Sequence, residues 1–257
     1  MEVRAKKHLG QHFLKDKNIA KKIADSLLLN TPTILEIGAG TGILTQFLKK
    51  KENTKLLVSE VDDESIEYLI ENNIVSKEDI VGDFLKLNLA ALFKTQVAII
   101  GNFPYNISSQ IVFKTIENKE LIPEFAGMFQ KEVAERICAS PGNKQYGIIS
   151  VLTQAYYNTE YLFTVDENVF TPPPRVKSGV IRLSRKEDFL LGCNEKLFKQ
   201  LIKTSFNTRR KMLRVSLKRI IGANEILKGS FYQKRPEQLS VQEFIMMTNA
   251  IESALKS

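Results

Sequence analysis

Residues 33–42 read Thr-Ile-Leu-Glu-Ile-Gly-Ala-Gly-Thr-Gly, and this stretch decides the fold of the first half of the chain. Its first five residues are mainly apolar and are followed by a glycine-rich turn, which predicts a buried strand. The glycines that follow at alternate positions allow a sharp turn and a close approach of the backbone to a ligand. The dinucleotide-binding fingerprint G-x-G-x-x-G needs a third glycine where this chain has Ile43, so that assignment fails.

Strands and helices continue to alternate on both sides of this stretch, from residue 18 to about residue 130. The predicted strands are 33–37, 55–61, 79–82, 96–100 and 125–130, and the predicted helices are 42–51, 63–72 and 107–117. Such alternation is typical of βαβ units and a parallel sheet with right-handed crossovers. We therefore predict an α/β, Rossmann-like fold, in which ligands bind beyond the carboxyl ends of the strands.

The second half of the chain changes its pattern. A helix is predicted at 145–157, followed by strands at 160–166 and 177–183 that flank the loop Phe-Thr-Pro-Pro-Pro-Arg at 170–175. Three consecutive prolines cannot donate to a β-ladder, so this loop is predicted to be a stiff, extended connector. From residue 194 onward the period is helical only, and Ser240 and Glu243 form a capping box before the last helix. The predicted domains are 1–185 and a small, all-helical C-terminal domain at 186–257.

Charge is distributed unevenly. Lys and Arg number 37 against 29 Asp and Glu, a formal net charge of +8, and residues 185–257 hold 15 basic and 7 acidic side chains. The whole excess therefore lies at the C-terminal end, which indicates a polyanionic partner, most often nucleic acid. The alternative is a basic face that is merely solvated.

The densest basic stretch is 205–219, which contains six cations and no acidic residue. At helical spacing, Met212 and Val215 are predicted to point to the core, with Leu213 as a further candidate. The candidate RNA-binding residues on the outer face are Arg209, Arg210, Lys211 and Arg214.

Cysteine, histidine and hydropathy patterns exclude several classes of protein. Cys138 and Cys193 form no CxxC pair, which favours reduced cytosolic thiols over a disulfide framework. The only histidines are His8 and His12, so we expect no His/Cys metal centre. No apolar run reaches about 18 residues and the N-terminus lacks the apolar stretch of a signal peptide. These patterns predict a soluble, cytoplasmic protein, which we expect to be a monomer.

Two acidic residues end strands behind the glycine-rich turn. The pattern E-x-G-x-G-x-G at 36–42 is typical of S-adenosylmethionine-dependent methyltransferases, although a glycine-rich turn without a ligand is the alternative. Glu60 ends the second predicted strand, where a carboxylate can accept both hydroxyls of a ribose. Asp83 follows the third, in position to accept from an adenine amino group. Taken singly each is an ordinary loop acid; together they favour cofactor binding.

The motif Asn102-Phe103-Pro104-Tyr105 follows the fourth predicted strand. An exocyclic adenine amine is a poor nucleophile, because its lone pair is delocalised into the ring. An Asn side-chain oxygen and a backbone carbonyl that accept the two amine hydrogens would localise that lone pair. Pro104 restricts the backbone of Phe103, which carries the carbonyl, and the ring of Tyr105 can stack on an extruded base. The alternative is an Asn-Pro turn with a core aromatic residue.

Together these motifs closely resemble the small-subunit ribosomal RNA adenine dimethyltransferase family. The resemblance lies in LGQHFLKD (9–16), EIGAGTG (36–42), GNFPYNIS (101–108), VFTPPPRVKS (169–178), QKEVAERI (130–137), YGIISVLTQ (146–154) and FNTRRKMLRVSL (206–217). These stretches span nearly the whole chain, and their combination is far more specific than any one of them.

The resemblance implies a set of roles for individual residues. Contacts with S-adenosylmethionine fall on His12, Leu14, Gly38, Glu60, Asp83 and Asn102. The catalytic residues it implies are Asn102, Pro104, Tyr105 and Phe170, with Phe170 packing on the target base from the other side. Position 12 is often Asn in the family, and the usual N-L-P-Y is here N-F-P-Y. Neither departure puts the activity in doubt, since His can donate a hydrogen bond and the second motif residue acts through its backbone.

The implied product is N6,N6-dimethyladenosine at two adjacent adenosines near the 3′ end of small-subunit RNA, and the implied partner is that RNA or a 30S precursor particle. The alternatives are a large-subunit RNA adenine methyltransferase, which shares these motifs, and a non-catalytic RNA-binding assembly factor. A DNA adenine methyltransferase is disfavoured, because 257 residues leave no room for a large target-recognition domain.

Overall fold

A computed structural model describes residues 3–256 and divides the chain into two compact units. The first contains the residues up to Glu135 together with Asn158–Arg185, and the second contains Arg136–Tyr157 and the residues from Lys186 onward. The strands are β1 Phe13–Leu14, β2 Thr33–Ile37, β3 Lys55–Ser59, β4 Val97–Asn102, β5 Glu124–Gln130, β6 Tyr157–Val165, β7 Phe170–Thr171 and β8 Ser178–Arg185. The helices are α1 Lys17–Ala24, α2 Thr45–Leu48, α3 Asp63–Glu71, α4 Leu89–Leu92, α5 Ser108–Glu117, α6 Lys131–Cys138, α7 Ile148–Tyr156, α8 Glu195–Asn207, α9 Leu213–Ser216, α10 Lys218–Ile221 and α11 Val241–Lys256.

The first unit is built on a sheet with the strand order β3-β2-β4-β5-β8-β6. The strands β3, β2, β4 and β5 are parallel, and β8 runs antiparallel to β5. Every residue of β2 is buried, as are the first five residues of β4, which fits their continuous apolar runs. This arrangement confirms the predicted α/β, Rossmann-like fold.

The predicted strand at 79–82 does not form. A single bridge joins Ile80 to Val58, and the amide of Val81 donates to the carbonyl of Val58 at 2.9 Å. The chain then turns at Gly82, whose φ of 77° lies in the left-handed region. The early turn ends the pairing after one bridge, and Asp83 consequently lies on a loop.

A second, two-stranded sheet joins β1 and β7. It pairs Phe13 with Thr171 and Leu14 with Phe170 in antiparallel register. This pairing ties the N-terminal segment to the start of the proline-rich loop, two stretches that lie about 157 residues apart in sequence.

The second unit has a helical core. Buried apolar residues of α8 and α11 face each other at helical spacing, among them Phe198, Leu201, Phe244 and Ile251. The capping box before α11 is present, since the Glu243 amide donates to Ser240 Oγ at 3.2 Å and the Ser240 amide to Glu243 Oε2 at 2.8 Å.

The predicted division at 185/186 coincides with one boundary between the units, but residues 136–157, predicted within the first domain, belong to the second unit. Helix α7, predicted within the first domain, packs with α8 and α11. The hydroxyl of Tyr156 donates to Glu195 at 2.9 Å, and the amide of Lys186 donates to the carbonyl of Tyr156 at 2.9 Å. The apolar face of α7 explains the difference, because it needs a helical partner that lies far along the sequence.

The predicted orientation of the basic stretch is corrected. Helix α8 ends at Asn207, and the stretch continues as the separate short helices α9 and α10. Met212 and Val215 are 39% and 49% exposed, whereas Leu213 and Leu217 are buried. The break between α8 and α9 shifts the helical phase. The prediction that Met212 and Val215 point to the core was therefore wrong, whereas Leu213 is buried. Within residues 3–256, no helix combines the length and the apolar character needed to cross a membrane.

Candidate functional site

A cavity of about 400 Å³ lies at the carboxyl ends of β2, β3 and β4. The N-terminal segment 9–14 forms part of its wall. The cavity is lined by eight of the nine residues expected to bind cofactor or to act on the base: His12, Leu14, Gly38, Glu60, Asp83, Asn102, Pro104 and Tyr105. Phe170 is the one expected site residue in the first unit that does not line it. Gln11, Glu36 and Asn106, which were not predicted as site residues, also line the cavity.

The glycine-rich turn requires glycine for two physical reasons. Gly38 and Gly40 have φ values of 74° and 55°, in the left-handed region that side chains disfavour. A Cβ atom on Gly40 would also lie 2.8 Å from the ring of Phe13. The turn is fixed to the neighbouring strand by the amide of Gly38, which donates to the carbonyl of Ser59 at 2.9 Å. The backbone thus lines the cavity at a point where a side chain has no room.

Glu60 is held by backbone amides. It is 5% exposed, and its carboxylate accepts from the amides of Gly40 at 2.9 Å, Val61 at 2.8 Å and Asp62 at 3.1 Å. A carboxylate has about four acceptor positions, so about one remains for a ligand. The carboxylate is therefore fixed in orientation and able to accept one hydroxyl without breaking an existing bond.

Glu36 is a buried acid on the wall of the same cavity. It is 1% exposed, and Oε2 has no hydrogen-bond partner among the residues that the structure describes. Burial raises the pKa of Glu36 to about 8, the nearby negative charge of Glu60 adds to the increase, and the Thr45 hydroxyl opposes it. Glu36 is thus predominantly protonated at pH 7. Its place in the E-x-G-x-G-x-G motif was the sequence signal for this residue.

Asn102 ends β4, and one bond fixes which end of its amide is available. Its Nδ2 donates to the carbonyl of His12 at 2.9 Å. Because a carbonyl can only accept, this bond assigns the NH2 group to His12 and leaves Oδ1 as the acceptor end. The acceptor that the motif needs is therefore oriented before any substrate arrives.

The packing of Phe103 explains why the motif has Phe where N-L-P-Y has Leu. Phe103 is 1% exposed, and its ring packs 5.0 Å from that of Phe125 and 4.9 Å from that of Phe129. A larger apolar residue is accommodated because Gly101 and Gly127 lie against the same ring. Position 103 therefore serves the core with its side chain, and only its backbone is available to the site.

Tyr105 is held by a hydrogen bond at its hydroxyl and by a ring contact with His12. Its hydroxyl lies 2.6 Å from Ser178 Oγ, and its ring centroid lies 5.4 Å from that of His12 at an interplanar angle of 33°. Burial raises the pKa of Tyr105, and the bond with Ser178 opposes this shift. Asn106, the next residue, donates to the carbonyl of His8 at 3.3 Å. The motif and the N-terminal segment thus contact each other at several points.

Asp83 lies on the loop after Gly82. Its Oδ1 accepts from the amide of Leu85 at 2.9 Å, and Lys86 Nζ lies 3.4 Å from Oδ2. Lys114 on α5 donates to the carbonyls of Leu85 at 2.9 Å and Leu87 at 2.6 Å, and these bonds hold the loop against α5. The loop is therefore fixed by local bonds rather than by a strand ladder.

The structure places Phe170 differently from the expectation. Its side chain is 1% exposed and belongs to an apolar cluster with Leu14, Val165 and Val180. Pairing of β1 with β7 sets this position, because Phe170 lies opposite Leu14. A ring in this cluster has no free face for a base, so the expected stacking role requires the ring to leave the core.

The four basic residues predicted to bind RNA belong to the second unit, whereas the cavity belongs to the first. Arg210, Lys211 and Arg214 are exposed. Arg209 is only partly exposed. Its guanidinium donates to the carbonyl of Asn143 at 3.2 Å, and its Nε lies 3.9 Å from Glu237 Oε2. Arg209 therefore contributes to the internal structure of the second unit, and these two contacts partly engage its guanidinium.

The buried carboxyl of Glu36 predicts a pH dependence of stability. Its pKa is raised in the folded state, so the folded chain binds more protons than the unfolded chain between about pH 4.5 and 8. The contribution of Glu36 to the free energy of unfolding therefore falls as pH rises through this range. Glu36→Gln is expected to remove this fall and to gain stability over the parent chain by a few kcal/mol towards pH 9. Urea unfolding between pH 5 and 9 measures the difference, with Glu67→Gln on the exposed face of α3 as the control. Parallel curves for the parent chain and Glu36→Gln would refute the assignment.

The burial of Phe170 predicts a structural role. Phe170→Ala is expected to lower the free energy of unfolding by about 3 to 5 kcal/mol, because a large core ring is replaced by a cavity. Chemical unfolding of the variant and the parent chain measures this loss. An unchanged free energy of unfolding would show that the ring does not pack in the core in solution, and would favour the stacking role.

Three kinds of comparison agree with the sequence motifs. The family model described as "Ribosomal RNA adenine dimethylase" matches residues 2–252. A relative from Flavobacterium johnsoniae named "Ribosomal RNA small subunit methyltransferase A" is 58% identical over 256 residues, covering 98% of this chain and 97% of the relative. A relative of the same name from Bacteroides fragilis is 57% identical over 263 residues, covering 99% and 94%.

Solved structures show the same fold. A dimethyladenosine transferase from Plasmodium falciparum has a TM-score of 0.80 and 24% identity, covering 95% of this chain and 98% of that one. The 23S rRNA methyltransferase ErmE has a TM-score of 0.69 and 23% identity, covering 92% and 99%. At these identities the likeness concerns the fold alone. The family model and the curated relatives confirm the resemblance found in the motifs: the chain belongs to the ribosomal RNA adenine dimethylase family.

Proposed function

We propose that the chain uses S-adenosylmethionine to dimethylate the N6 amines of two adjacent adenosines near the 3′ end of 16S ribosomal RNA, within the small subunit or its precursor. Its place of action is the cytoplasm, where bacterial ribosomes assemble. The observation that carries this proposal is the fixed amide of Asn102, which presents an acceptor beside the motif Phe103-Pro104-Tyr105 on the cavity wall.

The residues of the cavity fit the chemistry of S-adenosylmethionine. Glu60 retains about one acceptor position for a ribose hydroxyl. Glu36 places on the same wall a buried carboxyl oxygen that has no hydrogen-bond partner among the residues that the structure describes. At Gly40 the backbone itself forms the cavity wall, and the ring of Phe13 occupies the place that a side chain would need. When bound, S-adenosylmethionine supplies an electrophilic methyl group on a positively charged sulfur.

The chain's own residues prepare the adenine amine. Asn102 Oδ1 accepts one amine hydrogen, and we assign the second acceptor to the backbone carbonyl of Phe103. Accepting both hydrogens localises the lone pair of the nitrogen, which otherwise is delocalised into the ring. The ring of Tyr105 packs on the extruded base. The nitrogen becomes acidic only as it gains a methyl group, so positioning and hydrogen bonding are the main contributions required.

The choice between subunits follows from the curated relatives. Proteins that are 57–58% identical over nearly the whole chain carry small-subunit names, whereas the large-subunit ErmE shares the fold at 23% identity. A non-catalytic assembly factor is disfavoured by the cavity, in which Glu60, Asp83 and Asn102 are each positioned by hydrogen bonds.

The substrate is tested with ribosomal subunits from a strain that lacks the modification. We expect the purified chain to transfer four methyl groups to each small subunit, on two adjacent adenosines, and none to large-subunit RNA. Mass mapping of nuclease fragments locates the products. Methylation of large-subunit RNA instead would establish the alternative function.

Asn102→Ala is expected to lower the rate of methyl transfer by about 100- to 1,000-fold, because removing one oriented hydrogen-bonding group at a reacting centre costs about 3–4 kcal/mol. Incorporation of a labelled methyl group into small subunits measures the rate. Asn72→Ala, on an exposed residue at the end of α3, controls for the substitution and should retain the parent rate. An Asn102→Ala variant with more than about a tenth of the parent rate would contradict the role of the amide.

The exposed cations of the second unit predict a change in salt dependence. Each phosphate contact contributes about 0.7 to 0.9 to the slope of log K against log salt concentration. Replacing Arg210, Lys211 and Arg214 with Gln is expected to reduce the slope for RNA binding by about 2 to 3. Cofactor affinity should not change, since the cavity residues belong to the first unit. An unaltered slope with unaltered RNA affinity would show that these cations are solvated and do not bind RNA phosphates.

A further inference from the structure

Ser178 is the residue of the stretch VFTPPPRVKS that touches the Asn-Phe-Pro-Tyr motif. Its Oγ lies 2.6 Å from the hydroxyl of Tyr105, and Ser178 itself is fully buried. The resemblance to the family assigned a site role in this stretch to Phe170, which lies in the apolar core instead.

The sheet places Ser178 beside the motif through strand register. Asn102, the last residue of β4, pairs with Met128 of β5, and Met128 pairs with Val180 of β8. Because β8 is antiparallel to β5, its first residues lie at the edge where the parallel strands end. Ser178 begins β8, two residues before Val180, and therefore lies at the edge that the motif occupies.

The backbone before Ser178 is also fixed. Ser178 pairs with Gln130, the last residue of β5, and the amide of Lys131 donates to the carbonyl of Lys177 at 2.9 Å. The hydroxyl of Ser178 is thus a stationary partner on the sheet, whereas Tyr105 lies on the turn beyond β4. Of the two groups joined by the hydrogen bond, the serine is the anchor.

We propose that Ser178 is a positioning residue for the adenine methyl transfer, which acts by fixing the ring of Tyr105 through its hydroxyl. The ring of Tyr105 is attached to the turn at Cβ and bonded to Ser178 at its far end, which removes the freedom to swing away from the cavity wall. The ring of His12, 5.4 Å away, limits the same motion from the N-terminal segment. An extruded adenine then meets a ring whose position is already set, and less binding energy is lost in ordering it.

This inference rests on the proposed function, and a double-mutant cycle tests it. The variants are Ser178→Ala, Tyr105→Phe and the double variant, compared with the parent chain in kcat and KM for small subunits. Tyr105→Phe keeps the ring and removes only the hydroxyl, so both single variants delete the same hydrogen bond. Each is expected to lower kcat/KM by about 2- to 10-fold, and the double variant should fall no further than either single variant.

Three further measurements separate positioning from a general loss of structure. Ser150→Ala removes another buried serine hydroxyl, which donates to the carbonyl of Arg136 in the second unit, and should leave kcat/KM unchanged. The cofactor dissociation constant, measured by calorimetry, should be the same for all variants. Ser178→Cys keeps the volume with a weaker hydrogen-bonding group, and repeats the cycle if Ser178→Ala does not fold.

Each outcome has a distinct meaning. Equal losses in the single and double variants support the role of Ser178. A loss from Ser178→Ala that is as large in the Tyr105→Phe background as in the parent chain overturns it, because the serine would then act independently of the tyrosine. Unchanged kcat/KM in Ser178→Ala also overturns it. Absence of methyl transfer by the parent chain overturns the proposed function itself, and so is distinguishable from both.

Discussion

The parallel pairing of β2 with both β3 and β4 is the constraint on which the site depends. In this register Thr33, the first residue of β2, lies between Lys55 and Val97, and the three strands end at one edge of the sheet. Gly40, Glu60 and Asn102 follow or end these strands, so residues far apart in sequence reach one cavity. Most residues of these strands are buried. Hydrophobic burial of the strands therefore holds the polar groups together.

Burying acidic groups at this edge has an energetic cost that the structure offsets in different ways. Glu60 accepts three backbone hydrogen bonds, and Asp62 is bonded by Lys6, Gln11 and Ser65. Burial opposes ionisation of Asp62, but these three partners outweigh it and lower its pKa. Among the residues that the structure describes, Glu36 has no comparable set of donors, and its raised pKa keeps it predominantly protonated. The hydrogen bonds of Asp62 also tie the N-terminal segment to the end of β3, and the same segment supplies the carbonyl that orients Asn102.

Local patterns in the sequence were enough to predict an α/β fold with a parallel sheet, because apolar runs and alternate glycines specify buried strands and sharp turns directly. In the structure Glu60 and Asn102 reach the cavity wall from the ends of parallel strands, whereas Asp83 reaches it from a loop. The failures involve long-range packing. The strand at 79–82 is lost to the turn at Gly82, Met212 is exposed because the helical phase breaks after α8, and α7 joins helices from the other end of the chain. Phe170 is buried by pairing with a strand about 157 residues away, which no local pattern reveals.

Under the proposed function, the two units divide the work of recognition by the kind of force each can supply. Cations on the second unit can attract RNA through its phosphates, but phosphate contacts carry little sequence information. We therefore assign the selection of an adenine to the first unit, where Asn102 Nδ2 is bonded to the carbonyl of His12 and the Tyr105 hydroxyl to Ser178. Both groups depend on partners outside their own motif, the carbonyl of His12 and the hydroxyl of Ser178. The specificity that we propose for the four-residue motif thus depends on three segments, and we expect a chain that kept the motif but lost either partner to bind the base with a less ordered site.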